Sequence, residues 1–150
     1  MDRRITDRLA VDPGDIHVGW CSGRLIGGEQ WDVICEELTP EECIRRLDTW
    51  LGLRVGMELH HEVIAEEFVL YAGQDQRNVG NRMKTSELIG KMEFVCQLYG
   101  TELLRQPASI KKPTRAQLRG RGIKQVGHGT HQRDAELHFW YRTLRHGTAA

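Results

Sequence analysis

The stretch from Glu62 to Leu70 constrains the fold of this chain more than any other. Val63, Ile64, Ala65, Phe68, Val69 and Leu70 are apolar on both sides of the pleat, as a central strand covered on two faces requires. A sheet that contains it needs a layer packed against each side. Set into the run are Glu66 and Glu67. Neighbouring residues of a strand point to opposite faces, so one of these acids can reach solvent while the other needs company or a task.

The chain before it reads as an antiparallel meander. Arg8 to Asp12 and Ile16 to Gly23 pair as a hairpin about Pro13-Gly14, with Ile16, Val18 and Trp20 sharing one side. Gly27-Gly28 then turns the chain into a third strand, Gln30 to Glu37. At Thr39-Pro40-Glu41-Glu42 several helix-start signals agree: Thr39 as N-cap, Pro40 in the first turn, and Glu42 closing a capping box. The expected helix runs to Leu51, burying Cys43, Ile44, Leu47, Trp50 and Leu51, with Gly52 as its stop.

Beyond the Glu62–Leu70 strand come a polar connection, Tyr71 to Arg82, and a second helix from Met83 to Tyr99 stopped by Gly100. A short strand, Thr101 to Arg105, follows. A basic stretch, Pro107 to Gly129, is broken by Pro113, Gly120, Gly122, Gly127 and Gly129, and is expected to be mobile with a short helix near Thr114 to Arg119. The last helix, from Thr130 or His131 to His146, places Asp134, Leu137, Tyr141 and Leu144 in one quadrant of its wheel, so Asp134 heads the expected buried stripe. This order predicts an α/β chain. Its sheet has five strands, mixed, three antiparallel plus parallel ones, with helices on both faces. At 150 residues one domain, residues 1–150, is expected, burying roughly 70% of its unfolded surface.

Net charge is zero, with 21 basic and 21 acidic residues, but the two signs are segregated. Acids dominate from Glu29 to Glu67. Between Glu102 and Asp134 there is no acid at all, while Arg105, Lys111, Lys112, Arg115, Arg119, Arg121, Lys124 and Arg133 are basic. Such polarity suits a chain that meets nucleic acid with one region only. Cys21, Cys35, Cys43 and Cys96 are far apart and form no C-x-x-C pair, which indicates neither a disulfide framework nor a cysteine zinc cluster. No apolar run approaches the roughly 18 residues of a membrane span, and Met1 to Arg8 is polar, so the expected location is the cytoplasm.

Three acids stand where apolar residues are expected: Asp12 at the end of the first strand, Glu66 in the fourth, and Asp134 on the inward side of the last helix. The first and fourth strands can be neighbours, and the helix can lay its N-terminus across their ends. Converging carboxylates repel unless cations sit between them. Hard oxygen ligands suit Mg²⁺ or Mn²⁺, and two ions about 3.5 to 4 Å apart can clamp the attacking and leaving oxygens of a phosphodiester displacement. Local sequence alone leaves Asp12 open between turn-former and functional carboxylate, since Asp-Pro-Gly is ordinary turn chemistry.

Val11-Asp12-Pro13-Gly14 with Gly19, Ala65-Glu66-Glu67-Phe68, Ser86 to Gly90, and His131-Gln132-Arg133-Asp134-Ala135 together resemble the RuvC family of Holliday-junction resolvases. That family belongs to the RNase H-like (retroviral integrase-like) superfamily, and the nearest flavour is the short RuvC-like proteins of bacteriophages. The resemblance implies that Asp12, Glu66, His131 and Asp134 are the catalytic, metal-binding residues, with two Mg²⁺ or Mn²⁺ ions per site. The family pattern of an acid, one residue and then Phe selects Glu66 over Glu67. The implied reaction is hydrolysis of a DNA phosphodiester by a metal-activated water, leaving 5′-phosphate and 3′-hydroxyl ends. Branched DNA, four-way junctions in particular, is the implied substrate. Lys111, Lys112, Arg115, Arg119, Arg121 and Lys124 would hold backbone phosphates, with Arg77 and Arg82 adding contacts from the other side. A homodimer is implied; no stretch of the sequence identifies its interface, for which the second helix is the candidate. The family's wedge aromatic has no clear match, since Phe68 and Tyr71 are both offset.

Rival readings are RNase H itself or another branched- or single-strand nuclease on the same fold, and a non-catalytic nucleic-acid-binding module. A zinc protein using His60, His61, His128 and His131 is a fourth, disfavoured because neighbouring histidines on a strand point apart.

Overall fold

A computed structural model of the chain describes residues 4–68 and 79–146, with the side chains of 79–83 outside the description. Strands β1 (Asp7–Asp12), β2 (Val18–Ile26) and β3 (Gln30–Leu38) precede helix α1 (Pro40–Gly56). Then follow β4 (His61–Glu66), α2 (Val79–Leu98), β5 (Leu103–Gln106), a 3₁₀ turn (Ala108–Ile110), α3 (Lys111–Gly120) and α4 (Thr130–His146). The five strands form one mixed sheet in the order β3-β2-β1-β4-β5. The meander is antiparallel, whereas β4 runs parallel to β1 on one side and to β5 on the other.

Alternation along the two central strands divides the core into two layers. Leu9 and Val11 of β1, with Val63 and Ala65 of β4, face α1 and α2, where Leu47, Leu51, Leu88 and Met92 complete the larger cluster. Ala10 and Ile64 face the other way, against Ala135 and Phe139 of α4. The α4-facing row of β2 is Gly19, Cys21, Gly23, and the glycines are there for space. A Cβ on Gly23 would lie 2.4 Å from the Phe139 ring, and one on Gly19 would lie 1.9 Å from the His131 carbonyl oxygen. The helix therefore rests on the backbone of β2 itself.

Several boundaries differ from expectation for identifiable reasons. β4 stops at Glu66 instead of reaching Leu70, because its last partner is Gln106 of β5; Val69 and Leu70 lie outside the described residues. The second strand starts at Val18, and Ile16, expected to share its inner side, is 62% exposed. Helix α1 passes through Gly52 and ends at Gly56. A glycine inside a helix costs only about 1 kcal/mol against alanine, and the helix runs on through it to a cap at Met57. The Thr39 capping box forms as expected.

Helix α2 begins at Val79, so only part of the expected polar connection, which holds Arg77, remains between β4 and α2, and that part lies outside the described residues. In the basic stretch, α3 is longer than the sequence suggested. Pro113 is its third residue, a first-turn position where the missing N–H is not needed, and Ile110, Thr114 and Leu118 at four-residue spacing are buried. The inward face of α4 also differs: Ala135, His138 and Phe139 lie against the sheet, with Glu136 and Leu137 buried at the flanks, while Tyr141 and Leu144 are only partly covered. Polar residues on that inward face hid it from an apolar wheel.

Candidate active site

On the α4 side of the sheet, β1 presents Arg8, Ala10 and Asp12, and β4 presents Glu62, Ile64 and Glu66. Arg8 pairs in register with Glu62 and Ala10 with Ile64, so Asp12 and Glu66 close the C-terminal ends of two neighbouring parallel strands. The cross-strand partner of Asp12 is Gly19, the residue on which the first turn of α4 rests. This contact brings His131 over the end of β1, where its Nδ1 lies 3.1 Å from Asp12 Oδ2. The other ring nitrogen of His131 has no hydrogen-bond partner among the described residues.

Asp134, one turn further along α4, reaches Lys111 at the start of α3, whose Nζ lies 2.9 Å from Asp134 Oδ2 and 3.1 Å from Glu66 Oε2. Glu66 also meets His138 Nε2 at 2.9 Å, and His138 Nδ1 lies 2.9 Å from Gln106 Oε1. Glu67 instead is exposed, and its backbone N–H donates to the Gln106 carbonyl. The structure thus brings Asp12, Glu66, His131 and Asp134 to one end of the sheet.

Electrostatics set the three carboxylates apart. Burial, reinforced by the nearby charges of Glu66 and Asp134, raises the Asp12 carboxyl to about 6, against the lowering influence of His131. Burial also works to raise Glu66, but the His138 hydrogen bond and the charge of Lys111 outweigh it and hold the group below the usual range. Lys111 is raised: burial opposes its charge, while the hydrogen bond to Asp134 and the charge of Glu66 favour it. Asp12 thus resists ionising first because it is buried and second because other carboxylates lie nearby.

The donor set, carboxylate oxygens with an imidazole nitrogen, suits a hard divalent ion. Among the described residues no three His, Cys, Asp or Glu side chains lie close enough to hold one. The ammonium of Lys111 takes the place between Glu66 and Asp134 instead. Fit therefore rests on donor chemistry and on the charge excess around Asp12.

Of the other cations singled out from sequence, Lys112, Arg115, Arg119, Arg121 and Lys124 are exposed on α3 or the segment after it. Arg77 and the side chain of Arg82 lie outside the described residues. His61, named for a zinc site, is engaged with the Leu59 carbonyl at 2.9 Å and the Thr101 hydroxyl at 2.8 Å. His138 and Gln106 were not read from sequence, although His131, Asp134 and His138 recur at spacings of three and four, which stacks them along one helical stripe. Glu136 was also missed: fully buried, it accepts from the backbone N–H groups of Val126 and Gly127 and from Trp140 Nε1. It thereby ties the end of the basic stretch to α4.

No family sequence model matches the chain, and no characterised protein matches it by sequence. Its architecture is that of the RNase H-like fold. Within that class it is similar to RuvC of Thermus thermophilus, solved in complex with a Holliday junction substrate. That match has a TM-score of 0.64 at 18% identity, covering 95% of this chain and 98% of the other. A second Thermus thermophilus RuvC structure matches with a TM-score of 0.61 at 17% identity over the same shares. Likeness at such identity establishes the fold and leaves function to the residues.

Proposed function

We propose that this chain is a divalent-metal-dependent endonuclease that hydrolyses phosphodiesters in branched DNA, four-way junctions foremost, and that it is of the kind bacteriophages encode. The observation that carries this reading is the convergence of Asp12, Glu66 and Asp134, from β1, β4 and α4, on one end of the sheet beside His131. The shared fold supports it, since the Thermus protein of that fold was captured on a Holliday junction substrate.

Asp12, Glu66, His131 and Asp134 would hold two Mg²⁺ or Mn²⁺ ions, whose Lewis acidity would activate water and stabilise the departing 3′ oxygen. The chain's own groups do the rest. His138, braced by Gln106, fixes the rotamer of Glu66. His131 keeps Nδ1 on Asp12, which leaves Nε2 as the ring nitrogen that would face an ion. The ammonium of Lys111 can move from the carboxylates to a phosphate oxygen. The protein works in the cytoplasm as one nuclease domain and as a homodimer that cuts opposed strands symmetrically. Phe94 and Leu98 on the outer face of α2, 62% and 65% exposed, supply apolar surface for a two-fold contact. The molecular mass of the particle in solution checks that assembly.

The decisive experiment incubates the purified protein with four-way junctions, forks, flaps, linear duplex and RNA:DNA hybrid, each with Mg²⁺, Mn²⁺ or chelator. Junction cleavage that needs the ion and leaves 5′-phosphate ends is expected. Exclusive cutting of the hybrid would move the protein to an RNase H activity, and no cutting of any substrate would sink the nuclease reading.

A further inference from the structure

A pocket of about 540 Å³ lies between α3, the segment from Ile123 to Gly129 and the first turn of α4. Leu118 and Ile123 give it apolar wall, Asp134 borders it on the side of the carboxylates, and Arg115, Arg119, Lys124 and Arg133 line the rest. Several cations elsewhere on the chain are tied to acids. Arg46 is held by Glu36, Arg54 by Asp7, Arg105 by Glu93 and Arg142 by Glu62. Among the described residues Arg115, Arg119 and Lys124 make no ion pair or side-chain hydrogen bond, and Arg133 donates only to the Gly127 carbonyl, at 3.2 Å. Four cations around one concavity repel one another, the carboxylate at its edge, Asp134, is bonded to Lys111, and an anion seated among the four relieves that repulsion.

The geometry points to a subsite for one nucleotide of the DNA strand, adjoining the phosphate that is cut, with its phosphodiester held by Arg115, Arg119 and Lys124 and its sugar and base against Ile123. This rests on the nuclease reading and deepens it. The volume lies in the range of small-molecule sites. An inset with apolar wall favours a nucleotide with a hydrophobic body over a bare hydrated phosphate. Asp134 borders this pocket and also bonds Lys111 in the carboxylate cluster, so a strand seated here continues into the site. A nucleotide that must leave its stack to enter is more available at a junction than in continuous duplex.

The test uses the binding-competent Asp12→Asn protein and a set of four-way junctions. Each carries one neutral methylphosphonate at a position within about three nucleotides of the cut, and fluorescence anisotropy measures affinity. One position is expected to weaken binding about tenfold, the size of one lost charge-assisted contact. Adding Arg115→Gln and Arg119→Gln should cost about tenfold on the unmodified junction and abolish the further loss at that one position, leaving the losses elsewhere intact. Adding Lys124→Gln alone should reduce the same loss and gives a second route if the double change fails to melt cooperatively. An unchanged loss at that position in these variants overturns the subsite, as does a parent indifferent to every methylphosphonate. If the wild-type protein cuts junctions normally, either result leaves the nuclease reading standing. Wild-type protein that neither binds nor cuts branched DNA overturns both.

Discussion

The same two strands and the same helix build two charged clusters that behave in opposite ways. At one end of the α4-facing layer, Arg8 is fully buried and bonded to Glu62, which also takes Arg142 at 3.2 Å. The Arg8 guanidinium lies over the rings of Trp31 and Phe139, 4.9 and 5.7 Å from their centroids. Burial lowers the Arg8 pKa even with Glu62 beside it. At the other end, four residues further along each strand, Asp12 and Glu66 are joined by Asp134 against the single ammonium of Lys111. Ala10 and Ile64 separate the two ends. The first cluster compensates its carboxylate with guanidinium groups and serves stability. The second carries more carboxylates than cations, an arrangement that favours binding a positive ion over holding the fold together.

Mutation should separate the ends most sharply in catalysis. Asp12→Asn or Asp134→Asn is expected to lower ion-dependent junction cleavage by about 10³-fold or more, roughly 4 kcal/mol, while junction binding stays within a few-fold. Cleavage assays beside anisotropy check this, and near-wild-type cutting by either variant would remove those residues from the site. At the opposite end, Glu62→Ala leaves buried cations without their carboxylate. It should cost about 3 kcal/mol of stability, read as a drop in the denaturant midpoint.

The two ends should also respond with opposite sign to loss of a carboxylate. Asp12 in the folded protein keeps its proton up to about 6, against a reference value of 3.8. Between those values the folded state binds more protons than the unfolded one, so metal-free stability should fall as pH rises from about 4 to about 6, by on the order of 2 kcal/mol. Asp12→Asn should remove that slope and be more stable than wild type above pH 6; thermal melts across the range measure it. Lys111→Met should cost the metal-free protein about 1 kcal/mol by leaving Glu66 and Asp134 uncompensated, and millimolar Mg²⁺ should narrow the gap. His138→Asn is expected to slow cleavage only a few-fold, the smallest effect, through a looser Glu66, with a melting temperature shifted by only a few degrees. A full loss of folding would instead make His138 part of the stability-bearing end.

Much of this was legible in the chain because it depends on local pattern. The capping box at Thr39, the meander turns and the two-faced apolar run of β4 each follow from residues close in sequence. The acids stood out because Asp12, Glu66 and Asp134 occupy positions whose neighbours are apolar. Other features were hidden for the same reason in reverse. Inward residues of α4 such as His138 and Arg142 look like solvent-facing ones until Gln106, Glu66 and Glu62 are seen opposite. Lys111 was one more charge in a basic stretch until α3 set it between two carboxylates.

The sequence by itself determined which segments become strands and helices, which faces of β4 and α1 are apolar, and which acids sit out of place. Tertiary structure alone decided that Asp12 lies beside His131, that Lys111 bridges Glu66 and Asp134, and that Arg115, Arg119 and Arg133 line one pocket. The first two of those relations join residues 23 to 119 positions apart. Alternation and helical period carry no information about such pairs. They arise from the parallel pairing of β4 with β1 and from a helix admitted onto the sheet by Gly19 and Gly23.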